Sequence, residues 1–227
     1  MISLSSLFAE EKTLVLGGEK GWSRLEKTDG LTFGKGRFGW DSLELATNAR
    51  VAGSDTDLLL DFENSSLRDV KGNYDVLENK TVPSAKAKMG QGSALCRGVG
   101  GIRLSGSKNS IFGKEGPAGS FLIEFWLCPS IAENGEVVFS WRSSRTEGRR
   151  LLYQTISASF FANRLRWEFT NVFNGYDKDS GSLSIACGRT IIPNVWTHHQ
   201  ISFDEDTGLL EYRIDGRLEA LKYVTTN

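Results

Sequence analysis

Histidine, cysteine and net charge are all scarce in this 227-residue sequence, and each scarcity removes a class of chemistry. Lys and Arg total 27 against 28 Asp and Glu, a net charge of -1. No overall field therefore draws the chain to phosphate backbones or anionic lipid, and nucleic acid is not expected as a partner. No run approaches the roughly 20 apolar residues that span a bilayer, so membrane insertion is not expected either. The three cysteines, Cys96, Cys128 and Cys187, are far apart and in none of the paired spacings that zinc or dithiol chemistry needs. They allow at most one disulfide, and the ordinary role of such residues is that of a small buried hydrophobe.

The two histidines, His198 and His199, are adjacent. Neighbours on a strand point to opposite faces, so the pair cannot chelate one metal, and one is expected to be packed and the other partly exposed. No Gly-x-Ser-x-Gly elbow is present for Ser-His-Asp catalysis. Glycoside hydrolysis needs two carboxylates facing one cleft, roughly 5 to 9.5 Å apart, and on a strand this calls for acids at alternate positions. The best candidate strand has only Glu124, between Ile123 and Phe125. Long apolar patterns of period 3.6 with helix caps are missing as well.

What is present is β-like. With 39% hydrophobic and 11% aromatic residues the chain can bury a substantial core. Residues 1–9, Met1-Ile2-Ser3-Leu4-Ser5-Ser6-Leu7-Phe8-Ala9, are apolar and Ser-rich, end in Ala and meet Glu10-Glu11-Lys12, which reads as the last part of an export signal without its basic start. An exported protein is the expectation; a frayed cytoplasmic N-terminus is the alternative. Residues 10–54 form a β-rich N-terminal segment punctuated by Gly and Asp-Gly turns. Within it, Gly34-x-Gly36-x-x-Gly39 matches a dinucleotide fingerprint in spacing, but Trp40-Asp41-Ser42-Leu43-Glu44-Leu45 follows with period two where a helix would be required. The match is accidental by that criterion.

From residue 55 to 227 short apolar runs alternate with turn residues. They cover Leu58 to Phe62, Gly101 to Leu104, Phe121 to Leu127, Glu136 to Trp141, Leu151 to Tyr153, Arg164 to Thr170, Leu183 to Ile185, His198 to Phe203 and Leu209 to Ile214. Strands without helical crossovers pair antiparallel, so the sequence predicts an all-β, two-sheet antiparallel β-sandwich with an additional β-rich N-terminal segment. The run Phe121 to Cys128, apolar on both faces apart from Glu124 and ended by Pro129, is expected in the middle of a sheet. The clearest hairpin runs from Ile201 to Ile214, turning at Asp204-Glu205-Asp206-Thr207-Gly208.

Five segments in order resemble the laminin-G-like, concanavalin A-like lectin-glucanase (jelly-roll) superfamily. They are Asp57-Leu58-Leu59-Leu60-Asp61-Phe62-Glu63 with the turn Asp69-Val70-Lys71-Gly72-Asn73; Gly90-Gln91-Gly92-Ser93-Ala94-Leu95; Phe121 to Pro129; Val195-Trp196-Thr197-His198-His199; and Tyr212-Arg213-Ile214-Asp215-Gly216. The resemblance implies a jelly-roll sandwich and, for many members, calcium near a loop, for which Asp61 and Asp69 are the positions to test. Asp177-Lys178-Asp179 is a further acidic cluster without EF-hand spacing. Solvated turn carboxylates are the commoner reading of all of them. Members usually continue through further strands beyond the Asp-Gly hairpin, so either this chain is a fragment, truncated at its C-terminus, or residues 13 to 52 supply the missing strands.

Two segments are candidates for contact with a ligand. Trp141-Arg142-Ser143-Ser144-Arg145-Thr146-Glu147-Gly148-Arg149-Arg150 puts four arginines beside an aromatic in an expected loop, and Arg145, Arg149 and Arg150 suit an anionic glycan or an acidic protein surface. A solvated hairpin tip is the plainer reading. Among Trp167, Phe169, Phe173 and Tyr176, the first two share a strand face and read as core, while Tyr176, between Gly175 and Asp177, is the ligand-contact candidate. The functional expectation is a non-catalytic recognition module of an exported protein, periplasmic, cell-surface or secreted, whose partner is a glycan or a protein surface. The alternatives are a structural component of an extracytoplasmic assembly, homo- or hetero-associated through a sheet edge, and an unrecognised glycoside hydrolase.

Overall fold

The computed structural model describes residues 52–63, 67–98, 100–108, 110–111, 118–173 and 181–224, together with the backbones of four short strands nearer the N-terminus. The strands in chain order are β1 (Ile2–Ser3), β2 (Thr13–Leu14), β3 (Leu31–Lys35), β4 (Asp41–Leu45), β5 (Tyr74–Asn79), β6 (Val82–Ser84), β7 (Ser93–Leu95) and β8 (Ile102–Gly106), then β9 (Phe121–Leu127), β10 (Val137–Glu147), β11 (Arg150–Phe161), β12 (Arg164–Thr170), β13 (Ser182–Ala186), β14 (Thr197–Asp204), β15 (Leu209–Ile214) and β16 (Arg217–Tyr223). No α-helix occurs among the described residues.

The chain divides into two compact units. One comprises Met1–Val51, Asp61–Ser66 and Val82–Leu95. In it β1 pairs with β2, β3 with β4 and β6 with β7, each antiparallel. Asp41–Leu45 is thus a strand returning along Leu31–Lys35, not the helix that a dinucleotide site requires. A Cβ at Gly92 would collide with the carbonyl oxygen of Phe62, so the glycine of this segment is required by close backbone approach.

The other unit, Ala52–Leu60, Leu67–Thr81 and Cys96–Asn227, holds two four-stranded antiparallel sheets, ordered β10-β11-β12-β13 and β16-β15-β14-β9, and the pair β5-β8. The two sheets form a sandwich because their strands alternate in burial. In β12, Leu165, Trp167 and Phe169 are buried while Arg164, Arg166, Glu168 and Thr170 face outward. β14 and β15 repeat the pattern with His199, Ile201 and Phe203 opposite Ile214, Tyr212 and Leu210. The fully buried Trp167 joins the two layers, with ring centroids 5.8 Å from Phe139 in its own sheet and 5.9 Å from Phe125 in the other.

Tight turns set the register. Asp204 accepts from the amide of Asp206 (3.0 Å) and the hydroxyl of Thr207 (2.8 Å), and these bonds hold its carboxyl below the usual range. Asp215 and Gly216, at φ 49° and 75°, form the two-residue turn between β15 and β16, and Ala162 and Asn163, at 50° and 57°, do the same between β11 and β12.

Three expectations are corrected. Leu58 to Phe62 is not a strand: Leu59 donates its amide to Asp69 Oδ1 (3.0 Å) and accepts from Val70 N (3.0 Å), so a turn takes the groups a ladder would need. β9 is the terminal strand of its sheet, pairing only with β14 among the described residues, and Leu122 on its outward face is half exposed, so apolar residues on both faces do not place a strand at the centre of a sheet. Trp141 to Arg150 is not a loop, because β10 runs to Glu147 and β11 starts at Arg150, leaving Gly148 (φ 63°) and Arg149 as the turn. β5, β6, β7, β16 and residues 154–161 of β11 are strands that the run-by-run reading omitted.

Candidate functional site

The outward face of the β10–β13 sheet is rich in hydroxyl side chains. By register, Arg142 lies opposite Thr155 and Ser140 opposite Ser157. Thr155 faces Thr170 and Ser157 faces Glu168, and these two in turn face Ser182 and Ser184. All of these positions share one side of the sheet, since cross-strand partners point the same way. The result is a field of short hydroxyl side chains across four strands, each able to donate and accept hydrogen bonds.

An exposed ring stands at each end of this field on β11. Tyr153 is 69% and Phe161 51% solvent-exposed. They are eight residues apart on the same face, which at about 3.3 Å per residue separates them by about 26 Å. The Arg166 guanidinium lies 4.4 Å from the centroid of Phe161 and 3.2 Å from Glu168, so cation, ring and carboxylate brace one another beside Ser159. Rings of this kind offer apolar faces with fixed geometry, and the hydroxyl field supplies directional bonds between them.

The arginines predicted to act together are separated by strand alternation. Arg142 lies on the outward face; Arg145, opposite Leu152, and Arg150, opposite Glu147, have the core-side parity, and Arg149 sits in the turn. Arg145 is half-buried, and its Nε has no hydrogen-bond partner among the described residues. Tyr176, Asp177 and Asp179 lie outside the described residues.

Asp69 is 7% exposed and is the keystone of its turn. Its Oδ1 accepts from Leu59 N and Lys71 N (3.0 Å each), and its Oδ2 from Asn73 N (2.7 Å) and Tyr74 N (3.1 Å). A cation needs the lone pairs that these four amides already occupy, so the arrangement does not suit a calcium ligand. Gly72, at φ 72°, allows the chain to curl around the carboxylate. Asp57 completes the network: it accepts from Tyr74 Oη (2.7 Å), and burial together with this carboxylate pushes the Tyr74 phenol up. Asp61, in the other unit, accepts from Glu63 N at 3.3 Å, a local turn bond. Among the described residues no group of three or more His, Cys, Asp or Glu side chains is placed to hold a metal ion.

The histidines divide as their adjacency requires. His199 is fully buried, with Nδ1 2.7 Å from Tyr212 Oη and its ring stacked 5.7 Å from Phe125. Burial lowers its pKa to about 4, and burial likewise pushes the Tyr212 phenol up. His198 is on the opposite face, 21% exposed, with Nε2 3.3 Å from Glu124 Oε2 and its ring 5.0 Å from Trp126. Trp167, Phe169 and Phe173 are core. All three cysteines are free thiols; Cys187 is buried, Cys128 half-buried and Cys96 exposed, so the buried-hydrophobe reading describes Cys187 and not Cys96.

Tyr153 and Phe161 were not among the candidates read from the sequence. The signal was the alternation Tyr153-x-Thr155-x-Ser157-x-Ser159-x-Phe161, which marks one polar face ended by rings. Stopping the strand at Tyr153 concealed it. No protein-family model matches this chain, and no curated protein matches it.

Proposed function

We propose that the chain is a non-catalytic recognition module that takes a glycan across the outward face of the β10–β13 sheet. The observation that carries this reading is the hydroxyl field bounded by the exposed rings of Tyr153 and Phe161. A saccharide presents apolar C–H faces to rings and hydroxyls to hydroxyls, and a sheet face with both matches an extended chain of such units. The β-sandwich class is compatible with the resemblance to laminin-G-like and concanavalin A-like domains, and the reading of residues 1–9 as the end of an export signal supports an exported setting. Neither assigns the ligand. The reading uses no cation.

Glycan-array binding with the full chain tests it, run in calcium and again in chelator. Saturable binding that survives chelation and falls at least about fivefold in both Tyr153→Ala and Phe161→Ala is expected from losing one stacking ring each. Binding that vanishes in chelator, or that ignores both substitutions, would overturn the assignment to this face. A blank array would turn attention to a protein partner.

A further inference from the structure

We infer that the glycan is anionic, bearing carboxylate or sulfate groups; this rests on the glycan reading but on a different observation, the charge of the sheet. Between Val137 and Thr170 there are six arginines and two glutamates, a net charge of +4 in a chain whose total is -1; on the outward face itself three of these arginines, Arg142, Arg164 and Arg166, stand against one glutamate, Glu168, a net +2. The segment contains no lysine. Guanidinium is the cation that meets carboxylate or sulfate oxygens through two parallel N–H groups, which a point-charge ammonium does not.

Placement makes this more than composition. Arg142 is exposed, opposite Thr155 at the centre of the hydroxyl field. Arg166 and Arg164 flank Ser159 and Phe161 from the neighbouring strand. Glu168, the carboxylate on that face, is held 3.2 Å from Arg166 and leaves Arg142 and Arg164 without an acidic partner on their own face among the described residues. Anions laid along the sheet from Tyr153 to Phe161 therefore pass Arg142 near one ring and Arg164 and Arg166 near the other. A single-stranded nucleic acid is also a polyanion, but its bases need rings in close succession. Here the two rings stand about 26 Å apart with only small side chains between them on β11.

The test compares polymers that share a backbone and differ chiefly in charge: polygalacturonate against its fully methyl-esterified form, and dextran sulfate against dextran, with a dT20 oligonucleotide as a further arm. Binding of the full chain is measured by biolayer interferometry at 50 and 300 mM NaCl. The expected result is at least tenfold tighter binding to one charged polymer than to its neutral twin, weakened by salt, with the preferred pair separating carboxylate from sulfate. Arg142→Gln should weaken binding to the charged polymer about three- to fivefold and so narrow its margin over the neutral twin. Equal, salt-independent binding to both members of each pair overturns the anionic inference and leaves the glycan reading standing. Tighter binding to dT20 overturns both. Binding to none of these polymers overturns the anionic inference, and the glycan reading then falls only if the wider array is also blank. The salt and twin-polymer comparisons use the unaltered chain and decide the outcome even if Arg142→Gln folds poorly.

Discussion

Lowering the pH from 7 to 4 should remove about 3 kcal/mol of stability through His199 alone. Its ring is fully buried, stacked on Phe125 and bonded to Tyr212 through Nδ1, and its Nε2 meets no hydrogen-bond partner among the described residues. Protonation would give the ring two donors and a charge where one polar partner exists. Burial accordingly holds its pKa at about 4, against roughly 6.5 for an unfolded chain. The folded-state value is depressed, so between those two values the unfolded state binds more protons and stability rises with pH. The contribution is complete above about 6.5 and is lost as pH falls; a shift of about 2.5 units at about 1.4 kcal/mol each is about 3.5 kcal/mol in all, of which about 3 is gone by about pH 4, where the folded ring is half-protonated. Urea unfolding followed by tryptophan fluorescence at pH 7, 6, 5 and 4 measures it, with His199→Gln as the reference that cannot titrate there. The wild type should lose about 3 kcal/mol more than the variant over this range. Parallel pH profiles for the two proteins would refute the reasoning, because carboxylate titration is common to both.

Asp69→Ala strands four backbone donors and should cost about 3 to 5 kcal/mol, while Asp69→Asn, which turns an amide N–H toward some of them, should recover no more than about half; thermal unfolding reads both, and an alanine variant within about 0.5 kcal/mol of wild type would contradict the keystone role. Trp167→Ala opens a cavity where the two sheets meet and should cost about 3 to 5 kcal/mol in urea unfolding, against less than about 1 kcal/mol for Tyr153→Ala on the open face. The thiols should react with an aromatic disulfide reagent in the order Cys96, Cys128, Cys187, the last only on unfolding. Cys187 is 3% exposed, donates to Arg189 O at 3.1 Å and has its thiol pushed up by burial. Early labelling of Cys187 in native protein would contradict its buried place.

Strand identity was legible wherever alternation is strong. Arg164–Thr170 and Leu209–Ile214 stand as read, because period-two patterning is a local property that the pleat converts directly into faces, and Phe121–Leu127 stands as a short apolar run ended by Pro129. The adjacency of His198 and His199 likewise determined that one would be packed and the other would look outward. The Asp-Gly pair at 215 and 216 and the Gly at 208 marked their turns for the same reason: positive φ is a residue-level preference.

Partnership across the sequence was decided elsewhere. Asp69 reads as a turn carboxylate open to a cation until the fold brings Leu59, Lys71, Asn73 and Tyr74 to its two oxygens. β9 reads as central until its neighbours are counted. The arginines of 142 to 150 form one cluster along the chain and two faces in the hairpin, since pairing of β10 with β11 turns a linear run into alternating sides. The face from Tyr153 to Phe161 exists only once β10, β12 and β13 lie beside β11. Local sequence thus determined which residues form strands and which way each points. Which strands are neighbours depends on long-range contacts between segments far apart in the chain, and that pairing alone assembles the hydroxyl field, its rings and its arginines into one surface.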